Sequence, residues 1–293
     1  MKSLKRLFTI VGFTSLLFFT SCFDTIEEFT INADGTGSYT VTMDMYKMME
    51  MMMSMGGEEK MKNDPEYNEV KDSTFFFKDV IKDVPDLTEE EKALFKDARF
   101  DMHMAMKEKA MNVKFTFPVT KYADFGDIFQ NSMKASTAIE KSRKSENAGD
   151  VVETENAGSG NSGNAGDAGS AHGPKSGSKP KATSGSSFMP RKGGNDFMRS
   201  SEMYKLDVRD GYFSKQVISE KFKEAMEKDS TIKMMGPMLK DATISTVIHF
   251  PRKIKKVSSD KVILSEDKKT ITLKVTMGEY LEHPESMNIV VEY

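Results

Sequence analysis

Methionine is the residue whose chemistry this chain over-supplies: 24 of 293 residues are methionine, against one cysteine and four histidines. In MYKMMEMMMSM, Met45, Met48, Met49, Met52 and Met53 fall at i, i+3, i+4, i+7 and i+8. A helix there would carry a face made wholly of thioethers. Three chemistries fit such a face. Unbranched methionine fills an irregular core, it adapts to a lipid or a partner helix, and its soft sulfur binds Cu(I). A second tract, DMHMAM, adds Met102, His103, Met104 and Met106. Alternation along a strand would turn His103 away from the three methionines. A copper site there needs another local structure, or ligands from the first tract.

Other chemical signals are weaker. His249 lies in an apolar strand-like run, His172 in a glycine-rich stretch and His283 before Pro284, none at metal-ligand spacing from another. Gly158-Ser-Gly160-Asn-Ser-Gly163 spells a dinucleotide-binding pattern without the strand before it and the helix after it that would seat a pyrophosphate. Asp124-Phe125-Gly126 spells a kinase triplet, but Phe125, Ile128, Phe129 and Met133 have the spacing of a helix face. Glu89, Glu90 and Glu91 suit the first turn of a helix. With no nucleophile elbow, zinc-spaced histidine pair or phosphate loop, no catalytic residue, metal or cofactor is expected.

Arg252, Lys253, Lys255 and Lys256 form the clearest basic cluster. It suits anionic lipid head groups, or a solvated strand edge that discourages edge-to-edge association.

The lone cysteine sits at the end of a leader. MKSLKR supplies Lys2, Lys5 and Arg6, and the apolar run from Leu7 to Phe19 is 13 residues, against about 20 for a bilayer-spanning helix. Thr20 and Ser21 then precede Cys22. Phe19-Thr20-Ser21-Cys22 resembles the bacterial lipobox, which implies that residues 1–21 are a lipoprotein signal peptide and that Cys22 is the lipid attachment point. Several acyl chains on one residue give stable anchoring to a membrane. Phe23, rather than an aspartate, follows Cys22, so outer-membrane retention facing the periplasm is the expectation; Asp24, Glu27 and Glu28 are only a weak acidic tract for surface display. The formal net charge is −3, and losing the three positive charges of the leader leaves −6. Nucleic acid is therefore not an expected partner.

Composition divides the rest into 22–134, 135–200 and 201–293. Residues 145–195 hold 11 of the 20 glycines, with repeated Asn, Ala and Ser. This predicts a disordered insertion, which as a flexible coil would span about 40 Å. The flanks can then share one domain or form two. The expected fold class is α+β, with antiparallel sheets and a few short packed helices.

In the N-terminal block, Thr25–Ile31 and Ser38–Met45 read as strands around the turn dipeptide Asp34-Gly35. Thr88 and Glu91 form a capping box ahead of a short helix. Phe100, Met102, Met104 and Met106 alternate on one strand, Val113, Phe115 and Phe117 on the next. In the C-terminal block, Arg209-Asp-Gly211 predicts a hairpin and Phe222, Ala225 and Met226 a helix. Strands are predicted at Thr243–Phe250, Lys261–Leu264, Ile271–Met277 and Met287–Tyr293.

Four stretches, the Cys22 motif, FTINADGTGSYTVTMDM, VIHFPRKIKKVSSDKVILSEDKKTITLKVTM and MNIVVEY, together resemble the LppM-type lipoprotein domain and its Bacteroidota relatives. The likeness covers the outer thirds of the chain after the leader. It implies an α+β envelope domain with an apolar groove for lipid, and no catalytic residues to carry over. The expected function is a non-catalytic envelope lipoprotein that binds a lipid or other apolar ligand. The alternatives are an assembly module docking through its methionine face on another envelope protein, and a Cu(I)-binding protein.

Overall fold

In the computed structural model, residues 24–46, 50, 69–85, 87–132, 134–135, 203–228 and 240–293 are described. The expected signal peptide, Cys22 and the glycine-rich insertion lie outside them.

The hairpin signal at Asp34-Gly35 joins β1 (Asp24–Ile31) to β2 (Gly37–Asp44). Gly35 takes φ 85°, and Asp34 Oδ1 accepts from the Thr36 amide at 3.0 Å. Gly37 is fixed by space: a Cβ there would stand 1.9 Å from the Thr30 carbonyl oxygen and 2.8 Å from the Phe125 ring. Past this hairpin the N-terminal block adds β3 (Val70–Phe76), β4 (Arg99–Ala105) and β5 (Ala110–Val119). Helix α1 (Glu89–Phe95) starts at the expected capping box. The Glu91 amide donates to Thr88 Oγ1 at 3.2 Å, and the Thr88 amide donates to Glu91 Oε2 at 2.8 Å. Helix α2, over 122–132 and 134–135, buries Phe125, Ile128 and Phe129. Met133, expected on that face, lies outside the described residues.

The C-terminal block forms β6 (Tyr204–Arg209), β7 (Tyr212–Val217), α3 (Ser219–Lys228), β8 (Thr243–His249), β9 (Lys256–Val257), β10 (Ile263–Leu264), β11 (Thr270–Thr276), α4 (Met277–Glu282) and β12 (Ile289–Glu292). Strands β3 and β9 and helix α4 carry no clear sequence signal. β3 has a mostly exposed pattern, β9 is two residues long, and α4 follows directly on β11 through the cap of Thr276 on the Glu279 amide.

Eight strands form one sheet in the order β10-β11-β8-β1-β2-β5-β4-β3, and four form a second in the order β6-β7-β12-β9. The expectation of antiparallel sheets holds at every pairing but one. β1 runs parallel to β8, with Thr25 opposite Ile244 and Thr30 opposite His249. Since β1 comes from the N-terminal block and β8 from the C-terminal block, this parallel seam carries one sheet through both. Parallel neighbours need a long crossover, and here everything between residues 31 and 243 supplies it.

The two sheets meet over aromatic side chains. Phe29 on β1 lies 4.8 Å from Tyr39 on β2 and 5.4 Å from Phe213 on β7, ring centre to ring centre. Phe129 of α2 closes on both Phe29 and Tyr39. Each fully buried phenylalanine contributes about 1.5–3 kcal/mol relative to exposure. This aromatic core therefore holds β1, β2, β7 and α2 together.

Candidate functional site

Strand alternation builds the site. On the inner face of the large sheet, β2 places Val41 and Met43, β5 places Met111 and Val113, and β4 places Phe100, Met102 and Met104. Met43 is opposite Val113, Val113 opposite Met102, and Met111 opposite Met104. Met106 joins from the short turn Met106–Glu108 that links β4 to β5. Met43, Met45, Met106 and Met111 are buried with Tyr46 and Val113, apart from the aromatic core; Met102 and Met104 are half-buried against them. Six methionines thus converge at one end of the sheet.

Met45 is not itself helical, although Tyr46 and Glu50 after it are. It follows β2 directly, and its amide donates to the Met111 carbonyl at 2.8 Å, which extends the β2–β5 ladder by one rung. Met48, Met49, Met52 and Met53 lie outside the described residues. Met43 and Met111, which complete the cluster, belong to neither of the two methionine-rich tracts MYKMMEMMMSM and DMHMAM. Their inward alternation was the available signal.

His103 sits on the other face of β4. Its Nδ1 is 2.8 Å from Asp72 Oδ1 on β3, while Met102 and Met104 pack inward. The local structure that a mixed His–Met copper site requires is not the one formed here; the thioethers alone share a face.

A second polar site escaped sequence reading. Lys215 on β7 is 1% exposed and donates through Nζ to Glu27 Oε2 on β1, across the gap between the sheets. Its ammonium also lies 4.5 Å from the Tyr204 ring centre and 5.6 Å from that of Phe129. Thr246 Oγ1 on β8 donates to the same carboxylate oxygen at 3.3 Å. Burial, then the negative charge of Glu27, pushes the Tyr39 hydroxyl well above its ordinary pKa. Tyr204 is pushed up by burial first, then by Tyr280, and burial raises Tyr280 too. Tyr204 influences the titration of Tyr280, yet the Tyr280 hydroxyl has no hydrogen bond of ordinary geometry among the described residues. The site is closed and its charges are matched. It can hold the sheets in register.

The outer face carries a third arrangement. Glu28 on β1, His249 on β8 and Thr270 on β11 form a carboxylate–imidazole–hydroxyl chain, at 2.9 Å from Glu28 Oε1 to Nε2 and 3.0 Å from Nδ1 to Thr270 Oγ1. Nucleophilic catalysis uses such a chain when free amides stand ready for the oxyanion. Here the Thr270 amide is taken by Ser265 Oγ at 2.9 Å, and β11 is paired on both sides. His249 is thus half-buried in its strand, with a partner for each ring nitrogen.

Two of the four expected surface cations are held by the fold. Arg252 ion-pairs with Asp210 and stands 5.5 Å from the Tyr293 ring centre, and Lys255 Nζ donates to the Tyr293 carbonyl at 3.1 Å. Lys253 and Lys256 are exposed.

No known family model matches this chain, and no curated protein does. Among solved structures it is similar to the NMR structure of the folded domain of Mycobacterium tuberculosis LppM. The TM-score is 0.31 and the identity 9%, over 94% of this chain and 90% of that one. At that score and identity the likeness assigns neither family nor function, and the comparisons give no support to a Bacteroidota origin. Among the described residues, no helix is long and apolar enough to cross a membrane.

Proposed function

We propose that the chain is a cell-envelope lipoprotein, acylated at Cys22 after loss of residues 1–21, whose body binds a lipid or other apolar ligand and performs no chemistry. The observation that carries this reading is the methionine cluster, in which Met102 and Met104 remain half-open beside four buried methionines. Flexible, polarisable side chains at a partly open apolar surface accommodate ligands of varied shape better than branched ones. The Thr270 amide, already taken by Ser265 Oγ, is not free to hold an oxyanion, which argues against acyl transfer at the nucleophile–base pair described above. Outer-membrane retention rests on Phe23 after Cys22, and the periplasm-facing side on the weakness of the acidic tract Asp24, Glu27 and Glu28.

Two measurements test the reading. Alkyne-palmitate fed to cells should label the full chain and not Cys22→Ser; equal labelling of both would overturn the anchor. Native mass spectrometry of Cys22→Ser protein lacking residues 1–21 should show a co-purifying lipid mass that Met102→Ser/Met104→Ser loses. A bare chain that takes up Cu(I) would favour the thioether-metal alternative, and a chain bare under both conditions would favour docking on another envelope protein.

A further inference from the structure

The direction of β1 fixes which end of the molecule an anchor at Cys22 would hold. β1 begins at Asp24, and two residues reach at most about 7 Å, so the first rung of β1 stays close to the acylated residue. From that rung the register runs straight across the large sheet: Thr25 is opposite Met43, Met43 opposite Val113, and Val113 opposite Met102. Three inter-strand steps of about 4.8 Å cover this path, some 14 Å in all. Met45, Met111 and Met104 lie further still in the direction of the anchor, beyond the rung of Thr25. The six methionines are gathered at the anchored end.

The charges at the two ends differ in their distance from that anchor. The turn between β4 and β5, at the methionine end, carries exposed Lys107 and Lys109 on either side of Glu108. The stretch with Arg252, Lys253 and Lys255 follows β8 past His249, which is opposite Thr30 near the far end of β1. Eight strand residues span about 26 Å, roughly three Debye lengths at physiological salt. Over that distance the far cluster is screened from the anchoring leaflet, whereas Lys107 and Lys109 are not.

We propose that the methionine end is the membrane-facing end of the protein. Met102 and Met104 open onto the phospholipid leaflet that holds Cys22, and Lys107 and Lys109 sit among its head groups. This rests on the anchor reading above and adds an orientation and a partner, the bilayer itself. Cations flanking an apolar patch suit such an interface, because ammonium groups reach the anionic head groups while thioethers meet acyl chains. The basic cluster from Arg252 to Lys256 then faces away from the membrane.

The test uses the full, acylated chain in vesicles of phosphatidylethanolamine and phosphatidylglycerol. A photoreactive benzoylphenylalanine replaces Met104, Lys107 or Lys253, one at a time. After irradiation, phospholipid adducts are expected at positions 104 and 107 and not at 253. Lys107 lies on an exposed turn, so its variant reports even if the position 104 variant misfolds. Adducts at 253 without those at 104 and 107, or none at all three from a carbonate-resistant chain, would overturn the orientation. A chain that carbonate washes off the vesicles, and whose Cys22 bears no acyl group, would instead overturn the lipoprotein reading on which the orientation depends.

Discussion

Lys215 and Glu27, 188 residues apart in the chain, form an ion pair between the two sheets, with Lys215 1% exposed. Its worth as an attraction is offset by the desolvation of both charges, so its loss is asymmetric. Lys215→Met strands a buried carboxylate and should cost about 3–5 kcal/mol, whereas Lys215→Met/Glu27→Leu should recover most of it. Urea unfolding of both variants measures this. A double mutant as unstable as the single one would show that the pair is needed for docking the sheets.

The buried tyrosines predict a limit at high pH. Tyr39 and Tyr204 are held well above the ordinary tyrosine pKa, and Tyr280 is raised as well, each with burial as the first cause. Below pH 10 both folded and unfolded states keep these protons, and stability is flat. Above about pH 10 the unfolded chain releases them while the folded one does not, so stability falls by up to about 1.4 kcal/mol per buried tyrosine per pH unit. Thermal melts between pH 9 and 11.5 should show the fall, absorbance near 295 nm should show phenolate appearing with unfolding, and Tyr39→Phe should reduce the slope.

Gly37 and Gly126 make a matched pair of substitutions. Gly37→Ala drives a Cβ into the Thr30 backbone, 1.9 Å from its carbonyl oxygen, so the β1–β2 hairpin must open. Gly126 lies in α2, where the nearest atom to a new Cβ, the Leu206 carbonyl oxygen, is 3.7 Å away. Gly126→Ala should stabilise by about 0.5–1 kcal/mol through helix propensity, while Gly37→Ala should abolish cooperative unfolding. Circular dichroism melts separate the two outcomes.

Packing and binding should separate within the methionine cluster. Met111, 2% exposed, should cost about 2–5 kcal/mol as Met111→Ala, the usual range for truncating a buried methionine. Met102→Ser/Met104→Ser, at half-buried positions, should cost less and yet reduce retention of an apolar dye. A dye signal unchanged by the double mutant, in a protein of normal melting temperature, would assign these residues to core packing alone.

Much of the local structure is legible in the sequence, because its causes are local. The Asp34-Gly35 turn needs a positive φ, the Thr88–Glu91 box closes within one helical turn, and alternation sends His103 to one face and Met102 and Met104 to the other. β3 was missed because Val70, Phe75 and Phe76 are exposed at an outer strand, so no alternating pattern marks it.

A period of two tells which face a side chain takes but not which strand lies beside it. The parallel seam of β1 with β8, the convergence of six methionines from β2, β4, β5 and their connections, and the meeting of Glu27 with Lys215 each join residues far apart in the chain. Their pairing is chosen by which sheet register buries the most apolar surface with every charge matched, a property of the whole fold. The sequence by itself determined the turns, the caps and the inward faces of most strands; the tertiary structure decided which of those faces meet, and so that the methionines gather at the end where β1 begins.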